Sequence, residues 1–310
     1  MDISAENIKK VKNQVAEAGW GNRFDTAIDE FVKSGESKIK LPGSETIDGK
    51  HQLNAELDFS IGKDILYYNG WKGTLTKEGE ENSRSQFFPY YDKISMGEGA
   101  NLLIDGDNPR AVYKNHFYDE SGNRYGAWLK VDFSQKTESG NHVVQRFNDK
   151  YGFNPYEVIQ DYAIVGFNVY ETRKGAIMAM QQGAEIIVQP VNRENYDTVR
   201  MSANPEKRSF AFRSMDGKFL YHDQFRTKEA LEKRKGIQPS QGSTSVSFVP
   251  DKPDQQKTRG VNETDADYAK AHSSQAGTDE VKKKEVQALG SNKSLRKLAP
   301  DKKNTKGIKH

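Results

Sequence analysis

Apolar positions recur at helical spacing through the first 35 residues and then switch to strict alternation. Ile8, Val11, Val15 and Ala18 form one stripe at steps of three and four, the period of an amphipathic helix. Ser4 stands where an N-cap belongs and Glu6 where the helix dipole favours an anion, and Gly19 is a natural terminator. Ala27, Ile28, Phe31 and Val32 predict a second helix, opened by Asn22 and Asp25 as a variant capping box and ended at Gly35. From Leu53 the period becomes two: Leu53, Ala55, Leu57, Phe59 and Ile61 alternate with polar residues, as on a half-buried strand. Gly62-Lys63-Asp64 turns the chain into a second strand from Ile65 to Trp71, continued at Thr74-Leu75. Gln86 to Tyr91 forms an aromatic strand that Pro89 confines to an edge or an end.

A related order follows. Gly97-Glu98-Gly99 leads into Leu102-Leu103-Ile104, turn chemistry fills Asp105 to Pro109, and Val112 to Phe117 predicts a strand. A hairpin turn at Glu120–Asn123 precedes the alternation of Ala127, Leu129, Val131 and Phe133. The segments NAELDFS (54–60) and GAWLKVDFS (126–134) share an Ala-x-Leu start and an Asp-Phe-Ser end. An internal repeat would explain this, and so would the ordinary syntax of α+β domains. A third block opens at Asn154-Pro155-Tyr156-Glu157, which supplies a cap, a proline at the first helical position and a capping-box acid. Helix is expected around Ala176–Met180, a buried strand at Glu185–Val188 and another at Val199–Ala203. A hairpin turns at Asp216-Gly217, and a short helix covers Thr227 to Lys235.

From Gly236 onward aromatic residues almost vanish, and Gln, Ser, Lys, Asp and Gly dominate. Such a segment buries too little apolar surface to offset the entropy of ordering it. Its one island is a thin stripe, Val281, Val286 and Leu289, capped by Thr278. The expected fold class is therefore α+β: N-terminal helices and antiparallel sheets in two or three helix-plus-strands units, with a disordered C-terminal tail. The expected division is 1–145, 146–225 and a tail over 226–310.

Charge sharpens the picture of the tail. Residues 236–310 hold 14 Lys and Arg against 9 Asp and Glu, whereas residues 1–235 hold 33 against 35. The basic excess concentrates at the end of the chain: Lys293, Arg296, Lys297, Lys302, Lys303, Lys306 and Lys309 face only Asp301. Several such side chains on phosphates would give salt-sensitive, sequence-independent binding to DNA or RNA. A solvated tail without a partner carries the same composition.

Other chemistry finds little footing. The chain has no cysteine, which excludes disulfides, thiolate metal sites and cysteine nucleophiles and fits a reducing, cytoplasmic setting. No signal-peptide core and no apolar run of membrane-spanning length occurs in the sequence. Six histidines stand apart from one another, so no metal site is expected. Asp105 to Pro109 lacks the glycine and glutamate that a calcium loop needs at its sixth and twelfth positions. Gly97-Glu98-Gly99 lacks the rest of a dinucleotide fingerprint, and no cofactor is expected. Aromatics near basic residues (Tyr67, Tyr68 and Trp71 with Arg84, Phe87, Phe88, Tyr90, Tyr91 and Lys93) could stack single-stranded bases, but alternating aromatics more commonly fill cores.

The stretches AGWGNRFDTAIDEFVKSGESKIKL (18–41), HQLNAELDFS (51–60), YGAWLKVDF (125–133) and FNDKYGFNPYEVIQDYAI (147–164) resemble a group of uncharacterised Bacteroidetes proteins associated with mobile elements, a domain-of-unknown-function family. The resemblance implies a cytoplasmic accessory role on a mobile element and carries over no catalytic residue. The leading expectation is a non-enzymatic binding protein whose body meets a protein partner and whose tail meets nucleic acid or another acidic partner. One alternative is an enzyme or small-molecule binder with a pocket between the repeated units, lined by Trp71, Tyr91, His116 and Trp128. Another is a structural protein that oligomerises through strand edges.

Overall fold

The structure is a computed structural model that describes residues 3–79, 82–104 and 110–236. The expected Asp105–Pro109 turn, the helical island at 278–290 and all seven basic tail residues lie outside the described residues. The fold is α+β, with three antiparallel sheets whose strands follow one another in chain order.

Helix α1 (Ala5–Val15) begins as the sequence predicts, with the Asn7 amide donating to Ser4 Oγ at 3.2 Å. It ends in a turn over Ala16–Trp20, where Gly19 leaves helical geometry with a φ of 89° at the terminator position that the sequence predicts. Helix α2 (Asp25–Ser34) starts differently from expectation: its cap position is Phe24, with no side-chain bond, and Asn22 contributes only its carbonyl to the Asp25 amide. Strands β1 (Lys38–Ile47), β2 (His51–Gly62), β3 (Ile65–Lys77) and β4 (Ser83–Pro89) form the first sheet as a meander. Pattern reading passes over β1 because Pro42-Gly43 interrupts it and only Leu41 is buried. It is an edge strand, and Lys38, Lys40 and Pro42 are residue types that discourage further pairing. The helices cover the inner face of this sheet. The Asn7 side chain does so as a surrogate strand, accepting from the Leu66 amide at 2.8 Å and donating to its carbonyl at 3.1 Å.

The second unit opens with helix α3 (Met96–Ile104). Ser95 and Glu98 make the capping box: the Ser95 amide and hydroxyl both donate to Glu98 Oε2, at 2.8 and 2.9 Å. Strands β5 (Ala111–Tyr118), β6 (Arg124–Lys136) and β7 (His142–Asn148) follow as a three-stranded sheet. Alternation along β6 divides its side chains between two cores. Ala127, Leu129 and Val131 face the first core with α1–α3 and the first sheet, whereas Trp128 faces the second with Phe147 and Phe153. The central sheet is thus the shared wall of both cores. The Gln86 side chain on β4 bonds both the amide and the carbonyl of His142, which ties the first sheet to the second.

The third unit comprises helices α4 (Pro155–Val158) and α5 (Tyr170–Gln181), then strands β8 (Ile186–Val188), β9 (Val199–Asn204), β10 (Ser209–Arg213) and β11 (Phe219–Leu220). Asn154 caps α4 as predicted, through the Tyr156 amide. The Glu185–Val188 segment is not buried throughout, since Ile187 is 63% exposed on an edge strand. Helix α6 (Lys228–Gly236) closes the described chain, with Thr227 Oγ1 accepting from the Ala230 amide. No helix among the described residues is long and apolar enough to cross a membrane.

Candidate functional site

A β-bulge shapes one wall of a narrow aromatic hollow. Along β3 the partners of β2 run Phe59↔Tyr68 and then Asp58↔Gly70, so Asn69 is an extra residue. Side chains alternate across a strand, and Tyr68 and Trp71, three positions apart, would otherwise point to opposite faces. The extra residue turns both inward: Tyr68 is 5% and Trp71 1% exposed. The outward Asn69 amide is held by Asp58 Oδ1 at 2.7 Å and Ser60 Oγ at 3.1 Å.

Trp71 is fixed on every side. Its Nε1 donates to the Ile94 carbonyl at 3.0 Å, Trp20 meets it edge-on at 5.5 Å, and Phe88 lies 4.8 Å away. Beside these rings a cleft of about 210 Å³ opens between the end of α1, with Gln14, Glu17 and Ala18, and the β3–β4 wall. Tyr68, Trp71, Phe88 and Tyr90 line it, and Glu17 and Lys93 stand exposed at its rim. Two left-handed residues flank it, Gly19 at φ 89° and Lys93 at φ 49°.

The Tyr68 hydroxyl has no hydrogen-bond partner within the protein, and burial pushes its pKa up. Its oxygen is shielded from solvent, so it is a neutral group among apolar neighbours. An unpaired buried hydroxyl costs about 1–3 kcal/mol. Tyr68→Phe removes it without changing the ring, and is expected to raise stability by about 1 kcal/mol. A urea titration with an unchanged slope checks this; a lower midpoint would contradict the reading of an orphaned hydroxyl.

The four residues expected to share a pocket are divided. Trp71 lines the cleft in the first core, and Trp128 is packed in the second against Tyr113 and Phe153 at 5.4 and 5.5 Å. Tyr91 is 55% exposed, and its carbonyl accepts a 2.9 Å bond from His116 Nε2. Burial depresses the His116 pKa, opposed by that bond and reinforced by Lys93, Lys114 and Arg124. Tyr91 and His116 thus meet, but away from both tryptophans. Of the aromatics between Tyr67 and Lys93, Tyr68, Trp71 and Phe88 are core residues, in line with alternating aromatics filling cores.

Other exposed aromatics lie on the third unit. Cross-strand register places Ile187, Arg200, Arg213 and Phe219 in one row across the third sheet. The Arg213 guanidinium lies 4.5 Å over the Phe219 ring, Phe219 is 58% exposed and Tyr221 70%. Behind the row, the nearly buried Glu185 carboxylate gathers three arginines, Arg200 at 3.6 Å, Arg110 at 3.7 Å and Arg213 at 4.0 Å. A wider hollow of about 440 Å³ near α6 is mostly acidic, with Glu157, Asp161 and Glu229 against Lys233. Asp161 there is already paired with Arg226 at 2.9 Å. Among the described residues no three His, Asp or Glu side chains gather as metal ligands.

No protein-family model matches the chain, and neither the curated proteins nor the solved structures compared with it yield a significant match.

Proposed function

We propose that the chain is a non-enzymatic binding protein that contacts nucleic acid through its basic C-terminal segment and through the arginine-aromatic row of its third sheet. The observation that carries the reading for the body is the row itself. It sets Arg200, whose side chain is 37% exposed, in the same row as the exposed Phe219 ring; guanidinium groups pair with phosphates, and bases stack on rings. The segment 293–309 supports it with seven cations against one anion. Its charge supplies non-specific affinity, and the flat row prefers single strands whose bases are free to stack. An accessory role on a mobile element is the setting that the family resemblance implies.

Binding of the full chain to a labelled single strand and to a duplex, followed by anisotropy, tests this. Full engagement of seven cations gives a log–log salt slope of about −5 to −6. Replacing the seven tail residues by Gln is expected to flatten that slope, while Phe219→Ala with Tyr221→Ala weakens single-strand binding by about tenfold and duplex binding less. Affinity that does not change between about 50 and about 200 mM salt would overturn the proposal.

A further inference from the structure

The β5–β6 hairpin of the second unit carries a cationic patch built around a second bulge. Register along the two strands runs Lys114↔Ala127 and then Phe117↔Tyr125, so β5 holds one residue more than β6 at Asn115-His116. Lys114 turns inward to Glu98, and Phe117 turns into the first core. The bulge between them takes His116 out of the strand's alternation, and its Nε2 donates to the Tyr91 carbonyl at 2.9 Å. With Nε2 committed as a donor, Nδ1 is the nitrogen left to gain a proton. It has no partner among the described residues.

Arg124 is braced beside this ring. Its Nε donates to the carbonyl of Asn115, the residue before His116, and its Nη2 to the Asn115 side chain at 3.1 Å. Lys93 follows Tyr91 by two residues, at the end of the short 3-10 turn Tyr90–Asp92. Both cations are exposed, and neither is paired with a carboxylate among the described residues. The acids of the surrounding elements are already engaged. Glu98 of α3 holds Lys114, Asp92 holds Arg146 of β7, and Asp119 accepts from the Ser121 and Asn123 amides of its own hairpin turn. Lys93, Lys114 and Arg124 all lie near enough to disfavour a charge on His116.

We infer that Lys93, His116 and Arg124 bind a phosphate-class anion, and that His116 takes up a proton from solvent at Nδ1 as the anion arrives. The anion offsets the repulsion that keeps the ring neutral, and Nδ1–H then joins the two fixed cations as a charge-assisted donor. Tyr118 stands directly across from Arg124 and is 56% exposed, so a phosphate that carries a base also meets a ring.

The test follows the His116 ring by nuclear magnetic resonance in the full chain, assigned by its loss in His116→Gln. Sulfate is the first probe, because its charge is constant near neutral pH, with ionic strength held by chloride. Sulfate is expected to raise the His116 pKa, and by linkage to bind the protonated protein about tenfold more tightly than the neutral one. Affinity is then greatest in acid and falls as pH climbs through the His116 pKa of the complex. His116→Gln, which can still donate to Tyr91, is expected to abolish this pH dependence and keep part of the affinity. Lys93→Met and Arg124→Gln, at exposed positions, are each expected to weaken sulfate about tenfold. Inorganic phosphate and thymidine monophosphate, compared in Tyr118→Ala, then identify the source. A loss confined to the nucleotide shows a stacked base, and equal binding of both shows a free phosphate. Two results overturn the inference: His116 does not respond to sulfate, or it responds equally in the Lys93→Met, Arg124→Gln double variant. Neither bears on the salt slope of the C-terminal segment or on the third-sheet row, which involve other residues.

Discussion

Gly70→Ala is expected to cost about 3–5 kcal/mol, a large share of the stability of an ordinary domain. Gly70 follows the bulge in β3 with a φ of 132°, a region closed to L side chains, and a Cβ there would stand 2.3 Å from the Phe88 carbonyl oxygen. The next nearest atoms are Pro89 Cα and the Tyr90 amide nitrogen, at 2.8 and 2.9 Å. All three belong to backbone, so no rotamer change relieves the clash; β4 must move away from β3. The movement would carry Pro89 and Tyr90, two residues of the cleft wall, so the variant loses structure where the cleft is built. Gly97→Ala is the contrasting control. Gly97 lies in α3 with nothing within 4 Å of a built Cβ, and alanine there is expected to add about 0.5–1 kcal/mol through helix propensity. Urea midpoints of the two variants should fall on opposite sides of the parent. A Gly70→Ala midpoint within error of the parent would show that β3 and β4 are not locked at this point.

The three sheets were legible wherever one strand face is buried and the other wet. Alternation along β2 and β6 names their core residues correctly, because Leu53 to Ile61 and Ala127 to Val131 each turn one face to a core. It missed β1, an edge with one buried residue, for the same physical reason: without burial there is no pattern to read. The cleft was only half legible. Trp71 stood out as a large aromatic on a strand, but the bulge that brings Tyr68 to the same face leaves no more trace than an asparagine before a glycine. Glu17 and Lys93 reach one rim from distant parts of the chain, and no local spacing encodes that meeting. Pattern reading places Trp128 with Trp71 in one pocket between the repeated units. Their separation follows from the central sheet having two buried faces, which requires a third layer beyond it. The Ser95-x-x-Glu98 capping box was present in the letters but hidden by Gly97 and Gly99. Gly99 is small to admit the Trp71 ring, whose nearest atom would lie 2.5 Å from a Cβ there.

Glu98→Ala is the second large effect, at about 3–5 kcal/mol. Glu98 does two jobs at once. Its Oε2 caps α3 through Ser95, and both its oxygens take the Lys114 ammonium of β5, at 2.6 and 2.5 Å. The pair is largely withdrawn from solvent, with side chains 11% and 15% exposed, and it joins the helix to the central sheet. Removing the carboxylate strands a cation in a poor solvent and opens the helix start, and each loss adds to the other. Lys114→Met alone also destabilises, with a pH dependence set by a neighbour. Burial raises the Asp92 pKa, and Arg146 and Lys114 hold that rise back. Without Lys114 the folded-state pKa of Asp92 rises further. A carboxyl raised in the fold favours folding when protonated, and that contribution is lost as pH climbs through the folded-state pKa. The Lys114→Met deficit should therefore be largest at neutral pH and shrink in acid. Glu98→Gln combined with Lys114→Met keeps a capping-box side chain and removes the stranded charge, so the double variant is expected to recover most of either single loss. Urea unfolding of the parent, Glu98→Gln, Lys114→Met and the double variant measures the coupling directly. Additive losses would mean that the two side chains act independently, and that α3 is held to the sheet by packing alone.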